Sequence, residues 1–160
     1  MSYGIVGAEQ SYGCERFAVM IPDKVSFELR NSLSELDALC QSLEQFGKSL
    51  GLSSKILFEI CLAVEELVSN IISYGFDDDA VHFIKVAISH ENGILIIRLE
   101  DDGVPFDPLK AEEPDCECPI EQRKVGNLGI HLTKKIMDDM VYKRQENRNV
   151  LTLKKSIINT

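Results

Sequence analysis

The sequence predicts an α+β fold of two layers, in which three helices cover one face of a mixed, mostly antiparallel sheet. Three observations predict it. Apolar residues alternate with polar ones over five short segments, and they recur at helical spacing over three longer segments. Along the chain these segments run in the order strand, helix, helix, hairpin, loop, helix, hairpin. The layers can close only if strands on either side of the loop lie in one sheet.

The length and composition fit one globular domain. The chain has 160 residues, of which 44% are hydrophobic and 27% charged, so it can bury one core of ordinary size. We expect residues 1–15, which show no apolar period, to form a flexible tail ahead of a domain over residues 16–160. The 17 Lys and Arg against 26 Asp and Glu give a formal charge of −9. This balance argues against the basic surface that direct nucleic-acid binding requires, but an acidic chain can still hold one nucleotide.

Hydropathy and cysteine usage indicate a cytoplasmic protein that does not contact the membrane. No run approaches the roughly 18 to 20 apolar residues of a membrane-spanning helix, and the N-terminus lacks the apolar stretch of a signal peptide. The five cysteines are an odd number without the spacing of a disulfide framework. Cys116 and Cys118 have no second Cys or His pair at ligand spacing, so the sequence does not predict a zinc site.

The first strand and the first helix follow the tail. Alternation over Lys24–Leu29 predicts a half-buried strand. The helix that follows can begin at Ser32 or Ser34, since Ser is a favourable N-cap, and it can end near Gly47 or Gly51.

The second helix has the strongest pattern in the chain. Ser53 or Ser54 can cap its N-terminus, and a wide apolar stripe runs from Ile56 to Ile72. Gly75 is expected to end it.

A hairpin and a long loop come next. The segments His82–Ser89 and Ile94–Glu100 read as two strands, and the turn at residues 91–93 contains Asn-Gly, a strong hairpin signal. Residues 107–123 are rich in Pro, Glu and Cys and have no period. A loop of that length inside a compact domain is usually functional or mobile.

The C-terminal part predicts a third helix and a closing hairpin. Leu128–Met140 carries apolar residues at helical spacing. Val141–Gln145 and Val150–Lys154 then alternate as strands, with their turn at residues 146–149.

A carboxylate and a carboxamide share one side of the second helix. Glu66 and Asn70 lie about 40° apart around the helix axis, on the rim of the apolar stripe. Together they offer oxygen ligands for a metal, or a base beside a metal ligand. The alternative is a solvated helix rim, although Asn is only a middling helix former beside such apolar neighbours.

An acidic, glycine-containing segment follows the apolar strand of the first hairpin. Within residues 101–107, Asp101 is placed to accept a hydrogen bond from the exocyclic amine of a ligand, and Gly103 permits a close backbone approach. Asp-Gly is also a common turn dipeptide, so a plain turn is the alternative.

A third segment leads from the long loop into the last helix. Gly126 and Gly129 lie where free N–H groups at a helix N-terminus could face a phosphate. A plain loop end is the alternative reading.

Together, the three segments resemble the motifs of the GHKL ATPases (gyrase, histidine kinase and MutL type), and most of all the small anti-sigma-factor serine kinases and related anti-sigma regulatory proteins. Residues 65–70 look like the N box of that family. Residues 101–103, with Phe106 and Asp107, look like its Asp-x-Gly box, and residues 126–130 look like its glycine-rich box. The resemblance covers almost the whole domain and implies the Bergerat-type ATP-binding fold.

The resemblance also implies roles for individual residues. Glu66 takes the place of the general base, and Asn70 that of the Mg2+ ligand. Asp101 accepts from the adenine amino group, and Gly103 leaves room for the base. Arg123 and Lys124 are helpers for the terminal phosphate in an ATP lid over residues 108–125, unless they are a solvated charge pair. The complete set of implied nucleotide-binding residues is Asn70, Asp101, Gly103, Phe106, Arg123, Lys124, Gly126, Leu128 and Gly129.

The function implied is that of an ATP- and Mg2+-binding anti-sigma regulatory protein. Such a protein phosphorylates a serine on a small antagonist protein, controls the availability of a sigma factor and usually acts as a homodimer. The alternative is a non-catalytic module that uses nucleotide to switch its contacts within a partner-switching system. The ATPase part of a two-component histidine kinase fits poorly, because the chain has no helix hairpin with a phosphoacceptor His.

The sequence departs from the family pattern in two places. Tyr74 stands where the anti-sigma kinases commonly have His, and Arg148-Asn149 stands where they commonly have Gly-Thr on the last strand. The second departure is expected to weaken a water-bridged contact to adenine. It is one reason to consider the non-catalytic alternative.

Overall fold

A computed structural model describes residues 24–111 and 127–157 of the chain. The predicted tail at residues 1–15 and most of the predicted lid lie outside these ranges. The described elements are β1 (Lys24–Arg30), α1 (Leu36–Ser49), α2 (Ser54–Tyr74), β2 (Phe83–Glu91), β3 (Ile94–Asp101), α3 (Asn127–Ile136), β4 (Asp139–Gln145) and β5 (Arg148–Ser156). Two single 3-10 turns, Leu33–Glu35 and Pro108–Lys110, complete them.

The strands form one sheet in the order β1-β2-β3-β5-β4, and every described pairing is antiparallel. The sheet is therefore more regular than the mixed sheet that the sequence predicts. The pairing of β3 with β5 joins the two parts of the chain that the long loop separates. In its register Asp101 lies opposite Asn149, which brings two distant polar residues to the same end of the sheet.

The core lies between the sheet and the helices, as the two-layer prediction requires. On β1, Val25, Phe27 and Leu29 are buried while their neighbours are partly or fully exposed. The stripe of α2 supplies the facing layer, and its Val64 and Val68 are completely buried. In the described ranges, none of the helices is both long enough and apolar enough to cross a membrane.

Helix capping follows the sequence at α2 and differs at α1. Of the two candidates at α2, Ser53 is the N-cap, and its hydroxyl accepts from the Ile56 N–H at 3.4 Å. At α1 neither serine caps the helix. The hydroxyls of Ser32 and Ser34 contact each other at 2.9 Å, and Glu35 occupies the N-cap position without a side-chain cap.

The prediction for the third helix is wrong at its C-terminus. The helix ends at Ile136, not at Met140, because the backbone that follows is hydrogen-bonded to the sheet. The N–H of Asp138 already donates to the carbonyl of Lys154 on β5 at 2.9 Å, and Asp139 begins β4. Met137 is buried in the same core as the helix, so the apolar pattern continues past the end of the helical backbone.

The closing hairpin is tighter than predicted. Only Glu146 and Asn147 form the turn, with φ of +50° and +61°. These are the left-handed values that a two-residue hairpin turn requires. Arg148 and Asn149 therefore belong to β5, and Asn149 faces the interior.

Candidate functional site

A cavity of about 270 Å³ opens between the C-terminal half of α2, the end of β3, α3 and the β4-β5 hairpin. Most of its lining is apolar. The polar side chains that reach it come from Asn70 and Tyr74 on α2, Asp101 on β3, and Tyr142 and Asn149 on the closing hairpin. Mostly apolar walls with a few polar groups are typical of a small-molecule site.

Asp101 is the buried acid of this cavity. Only 4% of its surface is exposed. Its Oδ1 accepts from the N–H of Gly103 at 2.9 Å and from Asn149 Nδ2 at 2.7 Å. Burial raises the pKa of Asp101, and the hydrogen bonds from Asn149 and Gly103 oppose that rise. Within the described residues Oδ2 has no hydrogen-bond partner, so one carboxylate oxygen is free to accept from a ligand.

Asn149 is a site residue that the motif comparison did not identify. The sequence marked it only as a departure from Gly-Thr that was expected to weaken a water-bridged contact to adenine. In the structure its amide bonds directly to the acid at the end of β3. The available signal was the strand alternation, which places Asn149 on the same face as the buried Leu151.

Gly103 is packed closely against the C-terminal end of α2. A Cβ at this position would overlap the carbonyl oxygen of Gly75, at the C-terminal end of α2. The N–H of Val104 donates to that same carbonyl at 2.7 Å. The space that the glycine leaves is therefore filled by backbone, and Gly103 serves to seat the turn after β3 against α2.

Glu66 and Asn70 lie one helical turn apart on α2, as the sequence predicts. Asn70 lines the cavity, and its Nδ2 is buried without a hydrogen-bond partner among the described residues. Glu66 lies against the start of α3, where a Cβ on Gly129 would overlap its carboxylate. Because a buried unpaired N–H donor is costly, the Asn70 amide is suited to donate to an oxygen of a ligand.

The remaining predicted residues divide into three groups. Phe106 lines the cavity and is 51% exposed. Leu128 is 60% exposed and does not line the cavity. Arg123, Lys124 and Gly126 lie outside the described residues. Two functional segments therefore meet at the cavity, and Gly129 of the third is linked to them through Glu66.

The residues present fit a hard divalent cation that is shared with a ligand. In the described ranges no cluster of three or more His, Cys, Asp or Glu could hold a metal ion by protein groups alone. Mg2+, however, usually takes one or two protein oxygens and completes its shell with waters and phosphate oxygens. The side-chain oxygen of Asn70 would supply one such ligand, while its unpaired Nδ2 would donate to a phosphate oxygen.

A histidine bridges two carboxylates beside the site. His82 Nε2 lies 2.7 Å from Asp78 Oδ1, and Nδ1 lies 3.1 Å from Asp102 Oδ1. The ring also stacks on Phe76, with centroids 4.2 Å apart. The hydrogen bond to Asp78, aided by the one to Asp102, raises the pKa of His82 against an opposing effect of desolvation. Because Asp102 follows Asp101, the bridge ties the segment after α2 to the acid of the cavity.

The bridge predicts a pH-dependent contribution to stability. A raised His pKa means that the folded state holds the proton more tightly than the unfolded state. We expect the free energy of unfolding of the protein to exceed that of a His82→Gln variant most at about pH 5 to 6, where the imidazole is protonated and the two aspartates are still ionised. The difference should disappear as the pH rises through the folded pKa. Urea unfolding at several pH values measures it, and a difference that is constant with pH would contradict the prediction. His90→Gln on β2 is the matched control.

The chain matches one known protein family over most of its length. The family model described as the histidine kinase-like ATPase domain matches residues 29–155, which is most of the chain and includes every site residue above. The chain belongs to the histidine kinase-like ATPase domain family.

Individual members of this ATPase family are similar to the chain at low identity. The serine/threonine-protein kinase BtrW of Bordetella bronchiseptica is 25% identical over 101 residues, which are 63% of this chain and 71% of the kinase. The anti-sigma F factor of Geobacillus kaustophilus is 26% identical over 103 residues, 63% of this chain and 70% of that factor.

A solved structure supports the fold of this histidine kinase-like ATPase domain. The crystal structure of the RsbU and RsbW domains of Rv1364c from Mycobacterium tuberculosis superposes with a TM-score of 0.62. The match covers 84% of this chain and 32% of that one, at 14% identity.

Proposed function

We propose that the chain is a protein-serine kinase of the anti-sigma type, which binds ATP with Mg2+ in the cavity between α2 and the β4-β5 hairpin. It would phosphorylate a serine on a small antagonist protein and so control the availability of a sigma factor. The observation that carries the proposal is that Asn70 on α2 shares a cavity with the buried acid Asp101, while Glu66, one turn away, lies against the start of α3. The similarity to a serine/threonine kinase and to an anti-sigma F factor supports it.

The base of the nucleotide would lie against the buried acid. Asp101 Oδ1 is occupied by two N–H groups, so Oδ2 is the atom that would accept from the amino group of adenine. The apolar lining, with Phe106 at the rim, would cover the faces of the purine. An ionised carboxylate only accepts hydrogen bonds, so it would favour an amino group over a carbonyl at that position.

The phosphates would extend from this pocket toward Asn70, Glu66 and the start of α3. Asn70 would contribute its amide oxygen to the Mg2+, and a bound Mg2+ neutralises charge on the phosphates. Glu66, held against Gly129 at the first turn of α3, would orient the serine hydroxyl of the partner and accept its proton. Phosphoryl transfer depends mainly on such positioning and electrostatic stabilisation.

Transfer of labelled phosphate tests the kinase proposal. The protein is incubated with Mg2+, ATP labelled at the γ-phosphate, and candidate antagonist proteins. We expect the label to appear on a serine of one antagonist. Tight binding of ATP without transfer to any candidate would contradict kinase activity and leave a nucleotide-binding module. The similarity to a serine/threonine-protein kinase and to an anti-sigma F factor does not favour that alternative.

The assembly and location of the protein are part of the same proposal. By its resemblance to the anti-sigma kinases, the chain would form a homodimer in the cytoplasm. Light scattering of the purified protein measures the mass in solution. A monomer at micromolar concentration would contradict the homodimer.

Asp101→Asn is expected to weaken ATP binding by about 10- to 100-fold, the usual effect of losing a hydrogen bond to a charged group. The new amide can keep its oxygen toward Asn149, but its N–H groups would then face the amino group of adenine. Titration with ATP in the presence of Mg2+ measures the change. Asp102→Asn is the matched control, since Asp102 is adjacent, half-exposed and turned toward His82. Equal affinities for the two variants would contradict the role given to Asp101.

A further inference from the structure

Asn149 makes four hydrogen bonds with its side-chain amide. It lies on β5 opposite Asp101 and is 7% exposed. Its Nδ2 donates to Asp101 Oδ1 at 2.7 Å and to the carbonyl of Val104 at 3.0 Å. Its Oδ1 accepts from Tyr142 Oη at 2.8 Å and from Arg144 Nη1 at 2.9 Å. A primary amide has two N–H groups and two acceptor sites, so its capacity is fully used.

The network also fixes which way the amide points. A guanidinium can only donate, so the atom that faces Arg144 has to be the oxygen of Asn149. The NH2 group therefore faces the carboxylate of Asp101. Arg144 is itself held, because the same Nη1 donates to the carbonyl of Gly103 at 2.8 Å.

Because its amide is saturated, Asn149 has no polar atom left for a ligand and can act on one only through Asp101. Asp101 Oδ1 accepts from two N–H groups, one on the Asn149 amide and one on the Gly103 backbone. Both hydrogen bonds favour the ionised form of Asp101. The positive charge of Arg144 acts in the same direction. A protonated acid would become a donor at the ligand-facing oxygen and would no longer select an amino group.

We propose that Asn149 is a positioning residue that sets the base specificity of the site. It holds Asp101 by Oδ1 and so leaves Oδ2 to accept from the amino group of a 6-aminopurine nucleotide, while Tyr142 and Arg144 hold Asn149. The inference rests on the proposed nucleotide binding.

The test compares ATP with inosine triphosphate, which carries a carbonyl in place of the amino group. Dissociation constants with Mg2+ are measured between pH 5.5 and 8 for the full chain and for Asn149→Asp, a replacement of nearly equal size. The variant places a second carboxylate against Asp101. We expect its affinity for ATP to fall by about 10- to 100-fold at neutral pH, and its preference for ATP over inosine triphosphate to be lost.

The pH profile separates positioning from a merely structural role. Two facing carboxylates share one proton with a raised pKa, so the variant regains a donor to Asp101 as the pH falls. We expect its ATP affinity to recover partly toward pH 5.5, whereas that of the unchanged protein does not rise. Asn147→Asp, the same change on the exposed turn two residues away, should behave as the unchanged protein.

Three outcomes would overturn the inference. One is an Asn149→Asp variant that keeps the full preference for ATP, and another is an equal loss for both nucleotides without dependence on pH. The third outcome applies if that variant does not fold. Tyr142→Phe then serves as the test, because it removes one hydrogen bond to Asn149 Oδ1 and should lower the preference for ATP, although less strongly. An unchanged preference in Tyr142→Phe would overturn the inference. Failure of the unchanged protein to bind either nucleotide would instead refute the proposed function, and this inference with it.

Discussion

Replacing Glu66 with Gln is expected to lower the rate of phosphoryl transfer by about 10²- to 10⁴-fold, the contribution typical of a positioned general base. Gln has the same shape but cannot accept the proton of the serine hydroxyl. Glu66 does not line the cavity that is proposed to hold the adenine, whereas Asn70 does line it and is unchanged in this variant. We therefore expect the affinity for ATP to remain unchanged. Single-turnover transfer of labelled phosphate measures the rate, and equilibrium titration measures the affinity.

Glu65 offers a matched control for this experiment. It precedes Glu66 on α2, is exposed, and loses the same charge in a Glu65→Gln variant. Neighbours on a helix point about 100° apart, so Glu65 cannot reach the same atoms. A rate for Glu66→Gln that equals the Glu65→Gln rate would refute the role of general base. A large loss of ATP affinity in Glu66→Gln would indicate instead that Glu66 binds the nucleotide.

The sequence predicts the elements of this fold well because their signals are local. The strand β1 and the helix α2 are each specified by the periodicity of their own residues, and the α2 stripe coincides with the buried face. The Asn-Gly turn between β2 and β3 has both residues at positive φ, as that dipeptide favours. Where a competing long-range contact decides, as at the end of α3, the local pattern fails.

The candidate site was predictable in part for the same reason. Glu66 and Asn70 are related by one helical turn, so their proximity follows from α2 alone. The contact of Asp101 with Asn149 depends on the β3-β5 register, which no local pattern contains. The packing of Gly103 on the Gly75 carbonyl is likewise a contact between distant segments. Motif spacing predicts which residues belong to the site, whereas their contact partners can be predicted only once the strand order and register of the sheet are known.

The link between Glu66 and the start of α3 predicts the second large effect. In Gly129→Ala the new Cβ would overlap the Glu66 carboxylate. The two atoms that it would overlap, Oε2 and Cδ, lie at the end of a flexible side chain, so the Glu66 carboxylate would move and the fold would remain. Glu66 Cβ, 3.2 Å away, would have to give by a few tenths of an ångström. Displacement of a catalytic group by about 1 Å can cost about 100-fold in rate, and we expect a loss of that size. Because Ala favours a helix over Gly by about 0.5–1 kcal/mol, stability should stay equal or rise.

A double-mutant cycle shows whether Gly129 acts through Glu66. If displacement of that carboxylate is the whole effect, Gly129→Ala should cost nothing further in a Glu66→Gln background, since the base is already absent. Independent roles would instead give losses that multiply. Thermal unfolding of all four proteins accompanies the rates. A Gly129→Ala variant that unfolds at lower temperature, or that keeps its full rate, would contradict the proposal that Gly129 makes room for the Glu66 carboxylate.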